Sequence, residues 1–207
     1  MIFIILKFKL SDICFFRKGT NKTRKENKMG KLTVTDLKKH LNSKSREELT
    51  NEIIGLYKKF SDIRDYYAST LSKNGMRDVL EKYKKIIKDE FFPARGFGKL
   101  RLAVARKAVN DFGKISNSNS DMADIMLFYV ENGVEFTNAY GDINEQFYSS
   151  IETMYEAALK HICKSELVED FYTRCEQIVS DTSGIGWGFH DTLGDLFGGY
   201  LDKDAEK

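Results

Sequence analysis

His190 and Asp191 place an imidazole that could act as a general base beside a carboxylate, directly after the run Thr182-Ser183-Gly184-Ile185-Gly186-Trp187-Gly188-Phe189. In that run glycine recurs at every second position around the only tryptophan of the chain. Such spacing gives up backbone entropy and side-chain packing, so a backbone requirement or a close approach is its natural reason. N–H groups leading into a helix can receive an anion. The dinucleotide and phosphate-loop fingerprints, however, need a preceding strand and a different glycine spacing. Neighbouring helical residues point about 100° apart, so His190 and Asp191 need other groups to complete any site. Asp191 and Asp195 share a helical face with Trp187 one turn earlier. That face could hold a metal or a basic partner, and it reads equally as an acidic first turn favoured by the helix dipole. Trp187 itself reads as an anchor packed over the glycines.

A denser polar stretch runs from Tyr129 to Glu145. Glu131 and Glu135 lie one turn apart, and with Glu145 they could assemble a carboxylate cluster of the kind helical bundles use for paired metals. Such clusters use Glu-x-x-His pairs, and none of His40, His161 and His190 stands three residues after a Glu. No metal and no cofactor is therefore expected. Asn138, Tyr140, Asp142, Asn144 and Glu145 supply donors and acceptors for a ligand, although Asp142 and Glu145 also fit an acidic helix cap and its partner. The candidate set is His190, Asp191 and Glu135 for catalysis, and Asn138, Tyr140, Asp142, Asn144, Glu145, Trp187, His190 and Asp191 for binding.

Cys163 stands two residues after His161, on another side of a helix, and neither it nor Cys175 belongs to a C-x-x-C motif. Both thiols read as small packing residues. Arg95, Lys99, Arg101, Arg106 and Lys107, with Phe97 among them, form a basic run that could bind phosphate or RNA. It reads otherwise as a solvated face flanking a packed stripe.

The elements that must position these residues are helices. Leu37 and Leu41 face inward from a short helix capped at Thr33 or Thr35, and Ser45 with Glu48 forms a capping box ahead of Leu49, Ile53, Leu56, Tyr57 and Phe60 on one face. After a break at Lys73-Asn74-Gly75, the stripe resumes with Val79, Leu80, Tyr83, Ile86 and Ile87 until Pro93 ends it. Leu100, Val104, Ala108 and Phe112 recur every fourth residue. Ser120 or Asp121 caps a helix carrying Met122, Ile125, Met126, Tyr129 and Val130 to about Ala139. Phe147, Ile151, Met154, Tyr155, Ala158 and Ile162 make the cleanest stripe, followed by Leu167, Phe171, Cys175 and Ile178. Gly184 stands where a left-handed helix stop is expected. Phe189, Leu193, Leu196, Phe197 and Tyr200 form the last stripe, with Gly194 and Gly198 spaced for close approach of another helix. The expected fold class is all-α: a compact multi-helix bundle of about eight helices, with antiparallel helical pairs as the alternative. It forms a single domain over residues 29–201, ahead of a polar tail at 202–207.

Residues 1–28 read differently. Lys7 and Lys9 interrupt the apolar start too early for a membrane span of about 18 or more residues, and the charge follows that run rather than preceding it as in a secretory signal. Lys25-Glu26 can be encoded by AAG-GAG, a ribosome-binding sequence, two codons before Met29 as ATG. Residues 1–28 are thus expected to be a non-native leader or a disordered segment, with Met29 the start. They carry eight Lys or Arg and two Asp or Glu, so the whole-chain charge of +2 leaves −4 on residues 29–207. That mildly acidic body gives no electrostatic reason to expect nucleic acid or an anionic membrane. With no export signal and no disulfide framework, the reducing cytosol is the expected compartment.

Three segments together, Glu90 to Gly96 (Glu-Phe-Phe-Pro-Ala-Arg-Gly), Phe128 to Glu145 and Asp181 to Asp191, resemble those of a family of small bacterial all-helical proteins catalogued only as a domain of unknown function. The similarity spans about Met29 to Tyr200 and implies no activity. The function expected is a cytosolic helical binding module, for a protein partner or a second copy, with segments 128–145 and 181–191 sharing a polar-aromatic surface. The alternatives are a hydrolase or metal-assisted enzyme using His190 and Asp191 with nearby carboxylates, and phosphate or RNA binding through Arg95 to Lys107. The start assignment predicts that the N-terminal peptide of the natural protein, read by mass spectrometry, begins at Met29 or Gly30. Peptides containing Phe15 or Phe16 from native cells would overturn it.

Overall fold

Thr33 opens the first helix by the rule its sequence suggested: its side chain accepts the Asp36 N–H, and the Asp36 carboxylate returns the bond to the Thr33 N–H. This computed structural model describes residues 32–186 and 188–202. The leader, the Met29 start, Trp187 and residues 203–207 of the tail lie outside the described residues. The described residues form nine helices and no strand: α1 (Val34–Asn42), α2 (Arg46–Lys59), α3 (Ser61–Leu71), α4 (Gly75–Phe91), α5 (Leu102–Gly113), α6 (Asn119–Tyr140), α7 (Glu145–Lys164), α8 (Val168–Ser180) and α9 (Phe189–Leu201). None of these helices is long and apolar enough to cross a membrane.

The chain divides into two compact units, residues 1–46 and 47–207. In the first, α1 buries no residue, and Leu37, expected to face inward, is exposed. A lone amphipathic helix has nothing within its own described unit to bury that face against.

The second unit is an all-α bundle arranged around α6, which packs against α4, α5, α7 and α8, while α9 packs on α7 and α8. The core holds Ile87 and Phe91 of α4, Phe112 of α5, Ile125, Leu127 and Tyr129 of α6, Ile151, Tyr155 and Ile162 of α7, and Phe189 and Leu193 of α9. Buried acids at its edge are each answered by a cation on an exposed stem. Lys82 bonds Asp65, Arg101 bonds Glu90, and both Lys107 and Lys114 bond Asp111. Burial, followed by the Asp65 carboxylate that accepts its O–H at 3.2 Å, pushes the Tyr83 phenol above its ordinary range.

Several expectations need correction. The α2 stripe stays largely in solvent, with Ile53, Leu56, Tyr57 and Phe60 exposed, because the helices that form the core pack around α6 and α7 instead. The α5 stripe is turned relative to the expected one, since its buried row is Ala105, Ala108, Val109 and Phe112, and Val104 faces out. The cause lies upstream: Leu100 precedes the helix with φ 49° and gives its N–H to Glu90 O at 2.9 Å, so it cannot begin the row. Ser118, not Ser120 or Asp121, caps α6. Asn144, not Asp142, caps α7 by accepting the Phe147 N–H at 2.9 Å.

The glycine-rich joint also differs from expectation. Gly184 is not left-handed; α8 ends at Ser180 with Asp181 as its C-cap in ordinary helical geometry, and the left-handed residue is Gly188, with φ 71°, at the start of α9. Gly194 and Gly198 are not forced by close approach, since a Cβ on Gly194 would meet Val179 at an ordinary 3.9 Å and one on Gly198 would meet nothing.

Gly75 and Gly98 are required by the backbone carbonyls of Ala68 and Phe91, and Gly133 by a side chain of the core. A Cβ there would lie 2.3 Å from Cδ1 and 2.8 Å from Cγ1 of the fully buried Ile151, where α7 crosses α6. With two Ile151 atoms under 3 Å, Gly133→Ala should lose about 3 kcal/mol to overpacking and regain about 1 kcal/mol of helix preference, a net loss of about 2 kcal/mol measurable by chemical denaturation. Adding Ile151→Val removes the nearest atom and should restore part of it. A single variant as stable as the parent would refute the contact.

Candidate functional site

Between Ala123 and Thr137 every residue of α6 is buried except Asp124, Phe128, Glu131 and Glu135, which continue to the exposed Asn138. This spacing of four, three, four and three is the helical repeat, so these residues form one narrow strip. It is where the central helix meets solvent, and it carries the polar groups singled out above.

One end of the strip is clamped. Arg174 of α8 sends Nε and Nη2 to the two Glu131 oxygens at 2.6 and 2.8 Å, and Nη1 to Asp124 Oδ1 at 2.6 Å. Lys84 of α4 takes Asp124 Oδ2 at 2.6 Å and lies 5.2 Å above the Phe128 ring. Burial opposes the Asp124 charge, but the Lys84 and Arg174 bonds outweigh it and hold its carboxyl below the usual range. Burial likewise opposes the Arg174 charge, and Glu131 and then Asp124 more than compensate, raising its pKa.

The other end is open. The Asn138 side-chain N–H donates to the Asp181 backbone carbonyl at 2.8 Å, joining α6 to the end of α8. Beside this bond lies a cleft of about 310 Å³ lined by Glu131, Val134, Glu135, Asn138, Ile178 and Asp181. Gln177 donates to the Asp181 carboxylate at 2.6 Å. Glu135 is exposed and has no ion pair among the described residues.

The remaining candidates part company. Asp142 accepts the Tyr148 O–H at 3.2 Å, Tyr148 also meets the Thr137 hydroxyl at 2.9 Å, and its ring packs on Phe189 with centroids 4.9 Å apart. Tyr140 turns to the aromatic joint after α4, packing on Phe136, Phe92 and Phe97. Asn144 and Glu145 start α7. Asp191 is exposed in the first turn of α9. Trp187 lies outside the described residues. Thus Glu135 and Asn138 come together with Asp181, while Tyr140 and Asn144 serve other contacts and Glu145 is exposed in the first turn of α7.

The basic run disperses in the same way. Arg101 is committed to the buried Glu90 through Nη2 at 2.6 Å and Nε at 3.0 Å, Lys107 is paired with Asp111, and Arg106 reaches across to Ser150 of α7 at 2.5 Å. Burial pushes the Cys175 thiol up to about 12, which suits an inert packing residue. Among the described residues no group of three or more His, Cys, Asp or Glu side chains could hold a metal.

Arg174 escaped the sequence reading, and Thr182 and Asp181 fell within the 181–191 segment without being singled out as site residues. Thr182 was legible only as a hydroxyl ahead of the glycines, yet it is fully buried and donates to Val179 O at 2.6 Å while its oxygen lies 2.8 Å from His190 Nδ1. The hydroxyl has one proton, spent on Val179, so the ring must be the donor. His190 therefore carries its proton on Nδ1 when neutral, with Nε2 the basic nitrogen. Long-range ¹H–¹⁵N correlation at neutral pH should show this tautomer, and Thr182→Val should abolish the preference. An Nε2–H signature in the parent protein would disprove the bond.

No curated protein and no solved structure matches the chain. The model of a family of unknown function, DUF6155, matches residues 32–197 and so covers the α6 strip, the Asn138–Asp181 junction and the glycine-rich joint. The chain belongs to this family of unknown function, DUF6155.

Proposed function

We propose that this protein is a binding module, cytosolic and without catalytic activity of its own, whose 128–145 and 181–191 segments form one surface for a protein partner. The observation that carries the reading is the bond from Asn138 to the Asp181 carbonyl, which holds the two segments together beside an open cleft. Val134 and Ile178 supply an apolar wall, and Glu135 and Asp181 supply negative charge that Arg174, committed to Glu131, does not neutralise. A lysine or arginine of the partner fits that chemistry: its methylene stem covers the apolar wall and its head meets the carboxylates. At about 310 Å³ the cleft suits a side chain or two, near the lower limit of small-molecule sites.

The enzymatic alternative draws less support. His190 Nδ1 bonds the Thr182 hydroxyl, not a carboxylate of the 131–145 stretch, and Asp191 is exposed in a helix first turn. The thiols Cys163 and Cys175, free and packed on helices, agree with a reducing compartment.

Titrating ¹⁵N-labelled protein with an arginine- and lysine-rich peptide should shift the amides of Glu135, Asn138 and Asp181. Glu135→Lys should weaken that binding about tenfold or more, a change of about 1.4 kcal/mol. An acidic peptide should give no shifts. Shifts that miss these residues, or an affinity that Glu135→Lys leaves unchanged, would overturn the reading.

A further inference from the structure

A second cleft lies between α5 and α7, which both pack on α6 and turn largely polar faces toward the space between them. Its volume is about 640 Å³, inside the range of small-molecule sites, which is about 300–1,000 Å³. Ala103, Arg106 and Asn110 repeat along α5, and Gln146, Ser149 and Thr153 repeat along α7, so each wall is one helical face. Apolar residues at these positions would close the helices on each other. Polar ones keep the space open.

The charge of the cleft is lopsided. Arg106, Lys107 and Lys114 line it against a single carboxylate, Asp111. Asp111 already accepts from both lysines, at 2.7 Å from Lys114, so two positive charges remain in excess. Arg106 is exposed, and one of its N–H groups reaches Ser150 Oγ at 2.5 Å.

The proton count at Ser150 identifies the missing chemistry. Tyr129 is fully buried, and its hydroxyl meets Ser150 Oγ at 2.7 Å. Arg106 is a donor only, so three donors (the guanidinium N–H, the Tyr129 O–H and the Ser150 O–H) converge on two hydroxyl oxygens. Arg106 and one hydroxyl spend their protons within the group. The other O–H has no acceptor among the described residues. A buried phenol with no route to solvent takes the internal acceptor, so Tyr129 donates to Ser150 and the Ser150 proton is left facing the cleft. An unmatched hydroxyl donor beside a guanidinium, in a space with surplus positive charge, calls for an anionic oxygen.

We propose that the α5–α7 cleft binds a small phosphate monoester, with the phosphate between Arg106, Ser150 and Lys114 and the organic part against Leu102 and Ala103. A phosphate oxygen accepts the Ser150 O–H, the remaining Arg106 N–H groups bind two of its oxygens as a fork, and its charge of about −2 at neutral pH matches the excess. Leu102 and Ala103 offer an apolar edge that inorganic phosphate does not use. This site shares no residue with the Glu135–Asn138 cleft and does not rest on the partner-binding reading.

Isothermal titration of the full chain with ribose 5-phosphate, phenyl phosphate, inorganic phosphate and a single-stranded RNA oligonucleotide tests the proposal. The expected result is saturable binding of a phosphate monoester, tighter than inorganic phosphate, with amide shifts around Arg106 and Ser150. Arg106→Gln should weaken it about tenfold or more, Arg106→Lys less because charge remains without the fork, and Lys85→Gln, on a solvated turn of α4, not at all. Arg106 is exposed, so its loss leaves the core intact, and circular dichroism checks that. Ser150→Ala should weaken binding and serves only if it too folds. No saturable binding, equal weakening by Lys85→Gln, indifference to Arg106→Gln, or binding of RNA alone would each overturn the proposal.

Discussion

The bundle depends on one constraint: α6 has neighbours on four sides, α4, α5, α7 and α8, and must satisfy all of them within 22 residues. Burying a large apolar side chain stabilises by about 1.5–3 kcal/mol, and α6 contributes Ile125, Leu127, Tyr129 and Val130 without exposure. A helix so enclosed has little room for charge. Beyond Asp121 in its first turn, the charges it keeps are confined to the strip at Asp124, Glu131 and Glu135, where Lys84 and Arg174 arrive from α4 and α8 to neutralise the more enclosed part. The same crowding explains Gly133, since α7 comes so near that Ile151 occupies the space a side chain would fill.

Two sets of polar groups inside this crowd form short chains that end in acceptors. Tyr155 donates to Cys175 O at 2.9 Å, and Thr137, Tyr148 and Asp142 hand bonds along the turn between α6 and α7. Asn132 gives its N–H to Phe128 O at 2.7 Å and leaves Oδ1 unpaired, a cost borne inside the central helix. Unpaired buried groups are few because each costs about 1–3 kcal/mol.

Helical class, the breaks at Gly75 and Pro93, and the stripes of α4, α7, α8 and α9 were legible because each depends on local spacing. Burial of α2 was not legible, since Ile53 and Tyr57 repeat as a core face would, and only the placement of partner helices decides whether a face is covered. The α5 register was lost to Leu100, whose left-handed backbone answers the Glu90 carbonyl, a tertiary partner invisible in a window of neighbours. The segments 128–145 and 181–191 were legible as unusual. The link between Asn138 and Asp181 spans 43 positions and could not be read from spacing. Arg174 escaped for a like reason, because a cation in an ordinary helix gives no sign that it will bridge two carboxylates on another.

The Asn138 link has a consequence for sequence drift. Its acceptor is the main-chain carbonyl of residue 181, which every amino acid supplies, whereas its donor is a carboxamide that few side chains can imitate. Position 181 is therefore free to vary without breaking the junction, and position 138 is not. Relatives that keep this joint should betray it through one column of their aligned sequences, with no covarying partner column to mark the other end.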